Sequence, residues 1–436
     1  MDTFVNSIIL IIGLFFILST GVWIFLSLMV VSFIGLFFIL GLPLEQVGTI
    51  MANRFYSASG SWELACVPMF ILMGEIIFRT DISDRLFSGL APLVNKLPGR
   101  LLHINVFACA IFAAVSGSSA ATTATVGKIT LSELNKRNYD KKLSIGSLAG
   151  AGSFGFMIPP SIVFIIYGVL AEESIAQLFL AGVFPGLMLA GLYSLYIIIW
   201  SVINPKIAPK TLETYNLSDY IKCFIKLLPI AIIVIVVFGT IYSGVATPTE
   251  AAAVGITISL VIAIILRQMN LKIFIESILE SLKTSCMICT LVAAAGFLST
   301  AMGLLHIPQD VSKEITSMNL SPHQLIFMLS IFYVVLGFFL EGISILVMTL
   351  PICLPLVVNA GFNPIWFGVF FVIMVELALI TPPVGFNLFV IQGMSGYPIE
   401  KVAIAAAPFF FLMVLGLIIV TIFPEIVLWL PGIVGF

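Results

Sequence analysis

A cluster of hydroxyl side chains interrupts the apolar segment at residues 107–127. The hydroxyls belong to Ser116, Ser118, Ser119, Thr122 and Thr123, and Gly117 lies among them. Hydroxyls, and carbonyl oxygens freed where a membrane helix breaks, are ligands that suit sodium, and Gly117 permits a tight turn. The helix that begins after the turn presents its N-terminus, which favours an anionic group. We therefore predict a sodium site at 116–119, with Ser118, Thr122 and Thr123 available to an anionic substrate.

Basic residues flank this segment on both sides, four of them within 79–100 and five within 128–142. Lys and Arg near membrane segments stay in the cytoplasm, so a single crossing would put one group on the wrong side. A re-entrant hairpin that turns at 116–119 keeps both groups cytoplasmic, and irregular backbone at that depth must face protein or a water-filled cavity. Close helix packing through small residues is the alternative interpretation, but it does not explain the basic flanks.

The composition indicates an integral membrane protein. Of 436 residues, 61% are hydrophobic and 9% are charged, whereas soluble domains carry about 25% charged residues. Lys and Arg number 19 against 21 Asp and Glu, which argues against a nucleic-acid surface. Because the N-terminus carries Asp2 and no basic stretch, we expect the first apolar run to remain as a membrane helix rather than to be cleaved as a signal peptide.

Apolar runs long enough to cross a bilayer recur along the chain. They fall near residues 4–18, 20–41, 64–79, 144–170, 177–203, 227–243, 250–266, 287–304, 364–395 and 402–431. The first two runs are separated by so few residues that they could form one long tilted helix. Two further runs, 104–134 and 324–358, are interrupted near the middle by Gly117 and by Glu341-Gly342, and they predict hairpins.

The two halves match at an offset of about 225 residues, which pairs the two interrupted runs and pairs Pro159-Pro160 with Pro382-Pro383. Each half would hold five crossings and one hairpin, and five is odd, so we predict that the second half is inserted upside down. The segments with basic residues that this places in the cytoplasm are 79–100, 128–142, 204–226 and 267–283. The predicted fold is an all-α polytopic membrane protein with two inverted repeats and broken helices, a design of secondary transporters.

Paired prolines break one crossing in each half. A proline removes an amide donor and leaves a carbonyl without its helical partner, so we expect paired ion sites at these breaks, with a simple kink as the alternative. Pro160 and Ser161 at the first break are candidate substrate-binding residues. After the second break, Asn387 could contact substrate through its amide or only join helices by a hydrogen bond.

Four acidic residues lie within or at the edge of apolar runs, namely Glu75, Glu250, Glu341 and Glu376. Ionisable groups in a bilayer are functional candidates. Glu341, at the turn of the second hairpin, could ligate sodium, hold the turn by accepting backbone amides, or carry a proton. Glu250 begins a helix, where an acid stabilises the first-turn amides. Glu75 and Glu376 stay open between packing and function.

The sequence offers little for catalysis. Ser118 and Ser119 have no histidine inside a predicted crossing to act as base, and neither HExxH nor GxxxxGK[ST] occurs. We predict a protein that is not an enzyme and has no cofactor, driven by an ion gradient or by a separate subunit. Two amphipathic stretches, 81–100 and 270–283, are predicted to lie in the interface against phospholipid.

Six motifs in order resemble the large membrane subunit of tripartite ATP-independent periplasmic (TRAP) transporters. They are PMFILMG at 68–74, VSGSSAATTATVG at 115–127, FMIPPS at 156–161, ATPTEAAAVG at 246–255, LGFFLEGISILVMTLPICLPL at 336–356 and ITPPVGFNLFV at 380–390. The resemblance covers essentially the whole chain. It implies an elevator-type transporter of the ion-transporter superfamily in a bacterial inner membrane. It also implies sodium as the coupling ion and organic acids, including C4-dicarboxylates and sialic acid, as substrates.

The resemblance also implies residue roles. One sodium site would lie between the turn at 116–119 and the first break, at Gly155, Ile158 and Pro159. The other would use Glu341, Gly342 and Ser344 of the second turn with Thr381, Pro382 and Val384 of the second break. Many family members have aspartate at the position of Glu341, so direct ligation by the longer side chain stays open.

Two partners follow from the resemblance: a small membrane subunit of four helices and a periplasmic substrate-binding protein. Because the chain shows no room for a fused subunit, we expect the small subunit to be a separate polypeptide. The expected parts are a scaffold with an interfacial arm in 1–100, a transport part in 101–203, a linker in 204–226, a second scaffold part in 227–323 and a second transport part in 324–436. The predicted function is sodium-coupled import of an organic acid, and the leading alternative is a standalone ion-coupled permease or antiporter that needs no binding protein.

Overall fold

The computed structural model describes residues 3–209, 216–317, 320–382 and 385–434, and within them every regular element is helical. The helices of the first half are α1 (Thr3–Ser19), α2 (Ile24–Ile34), α3 (Leu44–Ser59), α4 (Cys66–Phe78), α5 (Ile82–Val94), α6 (Leu102–Ser116), α7 (Ser119–Lys136), α8 (Lys141–Gly152), α9 (Phe154–Met157), α10 (Ile162–Ala171) and α11 (Ile175–Ile203). Those of the second half are α12 (Leu217–Tyr242), α13 (Pro248–Ile265), α14 (Leu271–Leu304), α15 (Ile307–Ser317), α16 (Pro322–Gly337), α17 (Gly342–Asn359), α18 (Pro364–Leu379), α19 (Phe386–Ser395), α20 (Ile399–Ile422) and α21 (Glu425–Val434).

Several helices are long and apolar enough to cross a membrane. In the described residues there are seven, counting α8 to α10 as one broken span, and α3 with α4 would add an eighth across a bend of 58°. Five shorter apolar helices accompany them, among them α6, α16 and α18. The chain is therefore a polytopic membrane protein, as its composition predicts.

Both interrupted apolar runs form helical hairpins. Hairpin 1 consists of α6 and α7, and its turn holds Gly117 at φ +59° and Ser118 in an extended conformation. Only glycine adopts that left-handed conformation without strain. Hairpin 2 consists of α16 and α17, and its turn spans residues 338–341.

Each half also contains a broken helix at the predicted prolines. The first break, residues 158–161, separates α9 from α10 and contains Pro159 and Pro160. The second break, residues 380–385, separates α18 from α19, and Pro383 and Val384 within it lie outside the described residues.

The broken helices form the core of the molecule. In the most apolar stretch of Lys141–Ala171, 78% of the residues are buried, against 22% in α12. Helix α18 is buried along its whole length, and the Nε1–H of Trp366 donates to the carbonyl of Val420 at 3.0 Å. The hydroxyl of Tyr167 donates to the carbonyl of Pro364 at 2.6 Å and so joins α10 to the start of α18.

Corresponding helices of the two halves begin at nearly constant separations. The pairs are α5 with α15, α6 with α16, α7 with α17, α8 with α18, α10 with α19, and α11 with α20. Each pair is separated by about 220 to 225 residues. The order of arm helix (α5 or α15), hairpin, broken helix and long helix is thus the same in both halves.

The prediction of a separate interfacial helix at 270–283 is wrong. Those residues are the first turns of α14, which runs unbroken to Leu304. The stretch contains neither Gly nor Pro, so nothing ends the helix before its apolar part begins. The stretch at 81–100 does form a separate helix, α5, which ends before Pro98 and Gly99.

Other boundaries also differ from the prediction. The run at 402–431 divides at Pro424 into α20 and α21, and the first two runs are separate helices with Gly21 at φ +79° between them. Helix α12 begins inside the predicted linker, at Leu217. The apolar runs gave no sign of α3 and α15, because both are amphipathic and carry charged side chains.

Candidate functional site

The tip of hairpin 1 is held together by its hydroxyl groups. Ser116 Oγ lies 2.7 Å from Thr122 Oγ1, one turn into α7. Ser118 caps α7 by accepting the N–H of Ala121 at 3.4 Å, which satisfies one of the free amides at a helix start. The hydroxyl cluster predicted from the sequence is therefore a single compact tip.

This tip packs directly against the first break. A side chain on Gly155 would overlap the peptide between Ser118 and Ser119, and one on Gly117 would lie 3.1 Å from the carbonyl oxygen of Pro160. Ile158 is extended there, as the prolines that follow it require. The structure thus brings together 116–119 and the Gly155–Pro159 break, the two segments that were predicted to share an ion site.

A buried carboxylate from the other half reaches the same place. Glu376 of α18 is 1% exposed, and its two carboxylate oxygens lie 2.8 and 3.0 Å from Ser119 Oγ. The N–H of Phe156 donates to one of these oxygens at 2.8 Å. Sequence reasoning left Glu376 undecided; the available signal was an acid inside an apolar run, four residues before a proline-linked break.

The tip of hairpin 2 is built around Glu341. This residue occupies the N-cap position of α17 in an extended conformation, and the hydroxyl of Ser344 donates to its carboxylate at 3.3 Å. A side chain on Gly342 would overlap Val375 and would lie 3.3 Å from the ring of Phe156. The second tip therefore packs on α18 about one turn before its break, beside Phe156 of α9, the helix that ends at the first break.

The second break is described only in part. The hydroxyl of Thr381 donates back to the carbonyl of Leu377, and Gly385 at φ +50° begins α19. Pro382 is exposed, and Val384 lies outside the described residues. The recorded side-chain hydrogen bonds of Thr381 and Ser344 stay within their own segments, so the predicted pairing of hairpin 2 with this break remains a prediction.

Both tips line one cavity of about 1240 Å³. Ser116 and Ser118 come from hairpin 1 and Glu341 and Ser344 from hairpin 2, with Phe156 between them. Further parts of the lining come from residues within 22–25, 71–78 and 284–291, in or beside α2, α4 and α14. Within the described lining there is no Lys, Arg or His.

The other candidate substrate ligands lie behind this surface. Thr122, Thr123, Pro160, Ser161 and Asn387 are all buried, and none of them lines the cavity. Ser161 caps α10 by accepting the N–H of Phe164 at 3.4 Å. Among the described residues, neither side-chain atom of Asn387 has a hydrogen-bond partner, and the same holds for Thr123 Oγ1.

Two of the remaining acids have structural partners. Glu250 and Thr247 form a capping box at the start of α13, with Thr247 N–H donating to Glu250 at 2.8 Å, so the predicted capping role is confirmed. Glu75 pairs with Arg79 at 3.4 Å, and Arg79 reaches Glu276 of α14 at 2.8 Å. Glu75 also borders the cavity.

The donor atoms at the tips are of the kind that suit a hard cation rather than a transition metal. In the described parts of the chain, no group of three or more His, Cys, Asp or Glu side chains could hold a metal ion. What the tips offer instead are hydroxyl, carbonyl and carboxylate oxygens, the ligands of hard cations.

Comparison with known proteins decides the family. Residues 11–426 match the model described as "Tripartite ATP-independent periplasmic transporter, DctM component". The chain belongs to the DctM family. This TRAP large subunit is therefore a transporter component and not an enzyme.

Individual relatives agree with this assignment. The C4-dicarboxylate TRAP transporter large permease protein DctM of Pseudomonas aeruginosa is 34% identical over 88% of this chain and 90% of its own length. The isethionate TRAP transporter permease protein DctMQ of Oleidesulfovibrio alaskensis is 30% identical over 90% of this chain and 61% of its own length. In fold, this TRAP subunit is similar to the YdaH transporter of Alcanivorax borkumensis, with 13% identity, a TM-score of 0.59, and coverage of 90% of this chain and 89% of that one.

Proposed function

We propose that this chain imports a small organic acid by sodium-coupled secondary transport in a bacterial inner membrane. The observation that carries the proposal is the single cavity that both hairpin tips line, with a proline-containing break packed behind the first tip. Non-helical backbone within a bilayer is tolerated where it faces protein or a water-filled cavity, and in transporters it marks the binding site.

The proposed architecture is a pair of inverted repeats. Its support is the near-constant separation of the helix starts and the equal order of arm, hairpin and broken helix in the two halves. Basic residues cluster at 79–100 and 128–142, which supports a cytoplasmic location for both ends of hairpin 1, while 305–323 holds one Lys and no Arg. Hairpin 2 would then enter from the opposite face.

The charges around the cavity argue for a cation partner. An organic anion entering this space meets Glu75 and Glu341 and, in the described lining, no basic side chain. Attraction must then come from the N-termini of α7 and α17, whose first turns contribute residues to the cavity lining, and from bound sodium. Because the anion would bind weakly without sodium, such a site couples the two solutes by its electrostatics.

Each hairpin tip would hold sodium in this proposal. Site 1 uses oxygens of 116–119 and of the break at Gly155, Ile158 and Pro159, which already lie in contact. Site 2 would use Glu341, Gly342 and Ser344 with the break at Thr381, Pro382 and Val384, the residues that the family resemblance implies. The substrate would bind between the two tips.

The division of the cavity walls suggests which part moves. One wall belongs to the hairpins and broken helices, which include the most buried helices of the chain, and the other belongs to α2, α4 and α14. In an elevator mechanism the first group would be the transport domain and the second the scaffold. The 34-residue helix α14, tied to α4 through Arg79 and Glu276, suits a fixed support.

The partners in this proposal are a periplasmic substrate-binding protein and a small membrane subunit. The relatives named for C4-dicarboxylate and isethionate make small anions with a carboxylate or sulfonate group the first substrates to test. The chain spans 61% of the relative named DctMQ, so that protein has length for a further component besides the part matched here.

The test is uptake of labelled succinate, isethionate and sialic acid by proteoliposomes that contain this chain and its small partner. An inward sodium gradient is applied with and without the binding protein. We expect saturable uptake of one anion that requires the binding protein. Uptake without the binding protein would indicate the standalone permease, and absence of uptake for all three anions would contradict the proposed substrate class.

A further inference from the structure

Glu376 is a buried acid with no cationic partner in the described parts of the chain. It is 1% exposed, and none of the recorded ion pairs includes it. Moving a charged carboxylate out of water has a desolvation cost on the order of several kcal/mol unless another charge compensates it. Two neutral donors, Ser119 Oγ–H and Phe156 N–H, stabilise the carboxylate but leave its charge unbalanced.

The position of Glu376 indicates what balances that charge. Its two hydrogen-bond partners belong to the two segments that form proposed sodium site 1: Ser119 to the hairpin tip and Phe156 to the helix that ends at the first break. The two segments are so close that a single added Cβ at Gly155 would overlap the tip, so their oxygen atoms lie near one another. The other ligands of that site, hydroxyls and carbonyls, are neutral.

We propose that Glu376 is the counter-charge of sodium site 1. Although its Cα lies in the second half of the chain, its carboxylate orients the Ser119 hydroxyl and supplies the negative charge that neutral oxygens of the first half lack. Sodium binding at the first tip would thereby act on α18, the helix against which the second tip packs through Gly342 and Val375. The proposal rests on the sodium-coupled function above and adds a residue and a route of coupling between the halves.

The discriminating variant is Glu376→Gln, which keeps the size of the side chain and an oxygen that accepts from Phe156 N–H, but removes the charge. The measurement is the thermal midpoint of the purified protein in detergent, titrated with sodium chloride against choline chloride at constant ionic strength. We expect the sodium concentration for half-maximal stabilisation to rise about 10- to 100-fold, the effect typical of groups that support metal ligands. In choline alone, the variant should be as stable as the unmodified protein or more stable, because it lacks the uncompensated charge.

Glu133→Gln is the matched control, because it is the same substitution at a partly buried acid that already pairs with Lys136 and does not line the cavity. Its sodium midpoint should not change. Glu376→Asp keeps the charge on a side chain that is one methylene shorter. It should still be stabilised by sodium, with a smaller rise in the sodium midpoint than Glu376→Gln shows. This variant also tests the proposal if Glu376→Gln does not fold.

Three results would overturn the proposal. An unchanged sodium midpoint in Glu376→Gln would mean that the carboxyl is a neutral structural group. Equal losses of stability in sodium and in choline would mean that it only holds the helices together. If the unmodified protein shows no sodium-dependent stabilisation at all, the sodium-coupled function fails as well, so the two failures are distinguishable.

Discussion

The hydroxyl oxygen of Ser119 lies 2.8 Å from a carboxylate oxygen of Glu376, although 257 positions separate the two residues in the chain. The contact joins the tip of hairpin 1 to the helix that leads to the second break. It places a hydroxyl predicted to bind sodium beside an acid from the other half of the molecule. The two halves therefore meet at the proposed ion site and not only at their apolar surfaces.

Removing that hydroxyl should weaken sodium-dependent uptake. In Ser119→Ala the carboxylate loses one of its two donors and the site loses an oxygen, so we expect the sodium concentration for half-maximal uptake to rise about tenfold or more. Ser132→Ala, an exposed serine on the same helix, should behave like the unmodified protein. Equal sodium curves for all three proteins would remove Ser119 from the site.

A side chain at Gly155 should disrupt the contact between the tip of hairpin 1 and the first break. Gly155→Ala would force its new Cβ into the peptide between Ser118 and Ser119, and we expect a loss of about 1–3 kcal/mol in stability together with most of the uptake. Gly191→Ala is the control, because a Cβ there meets no atom within 4 Å. Thermal unfolding and initial uptake rates measure both effects, and normal uptake by Gly155→Ala would argue against the close contact.

Glu341 should affect sodium binding and not only folding. Because the cavity has no basic side chain in its described lining, removal of this charge in Glu341→Gln should raise the sodium requirement and lower the anion affinity at fixed sodium. Glu400→Gln, at an exposed acid, should change neither quantity. A lower maximal rate at an unchanged sodium midpoint would instead assign Glu341 to holding the turn.

The sidedness of the hairpins can be tested with single cysteines in a chain that lacks the native ones. Lys96→Cys lies before hairpin 1 and Ser132→Cys lies in the last turns of α7, both at exposed positions. Both should react with a membrane-impermeant maleimide only from the cytoplasm. His323→Cys, exposed at the start of hairpin 2, should react only from the opposite face. Labelling of Lys96→Cys and Ser132→Cys from different sides would show that residues 102–136 cross the membrane and would contradict the inverted arrangement.

The sequence predicted the elements that carry strong local signals. Gly117 and the paired prolines interrupt otherwise apolar runs, and the structure turns or breaks there because glycine adopts a positive φ and proline lacks an amide hydrogen. The capping box of Thr247 and Glu250 is equally local, since its two residues are three positions apart.

The parts of the fold and of the site that the sequence did not predict depend on contacts between residues far apart in the chain. Nothing near Glu376 in the chain indicates that it meets Ser119 and Phe156, because that requires the packing of α18 on hairpin 1. Thr123 and Asn387 have polar side chains that suit a substrate site, yet tertiary packing buries both behind the cavity wall. The amphipathic helices α3 and α15 were missed because a search for apolar runs passes over charged segments.

Accumulation of substrate against its own gradient tests the central claim most directly. Proteoliposomes with the complete complex are loaded with a known concentration of the transported anion, and the membrane potential is held at zero by valinomycin with equal potassium on both sides. With an inward sodium gradient, the account predicts internal anion well above the external concentration, and collapse to equality when sodium is made equal on both sides. Accumulation that persists without a sodium gradient would contradict sodium coupling.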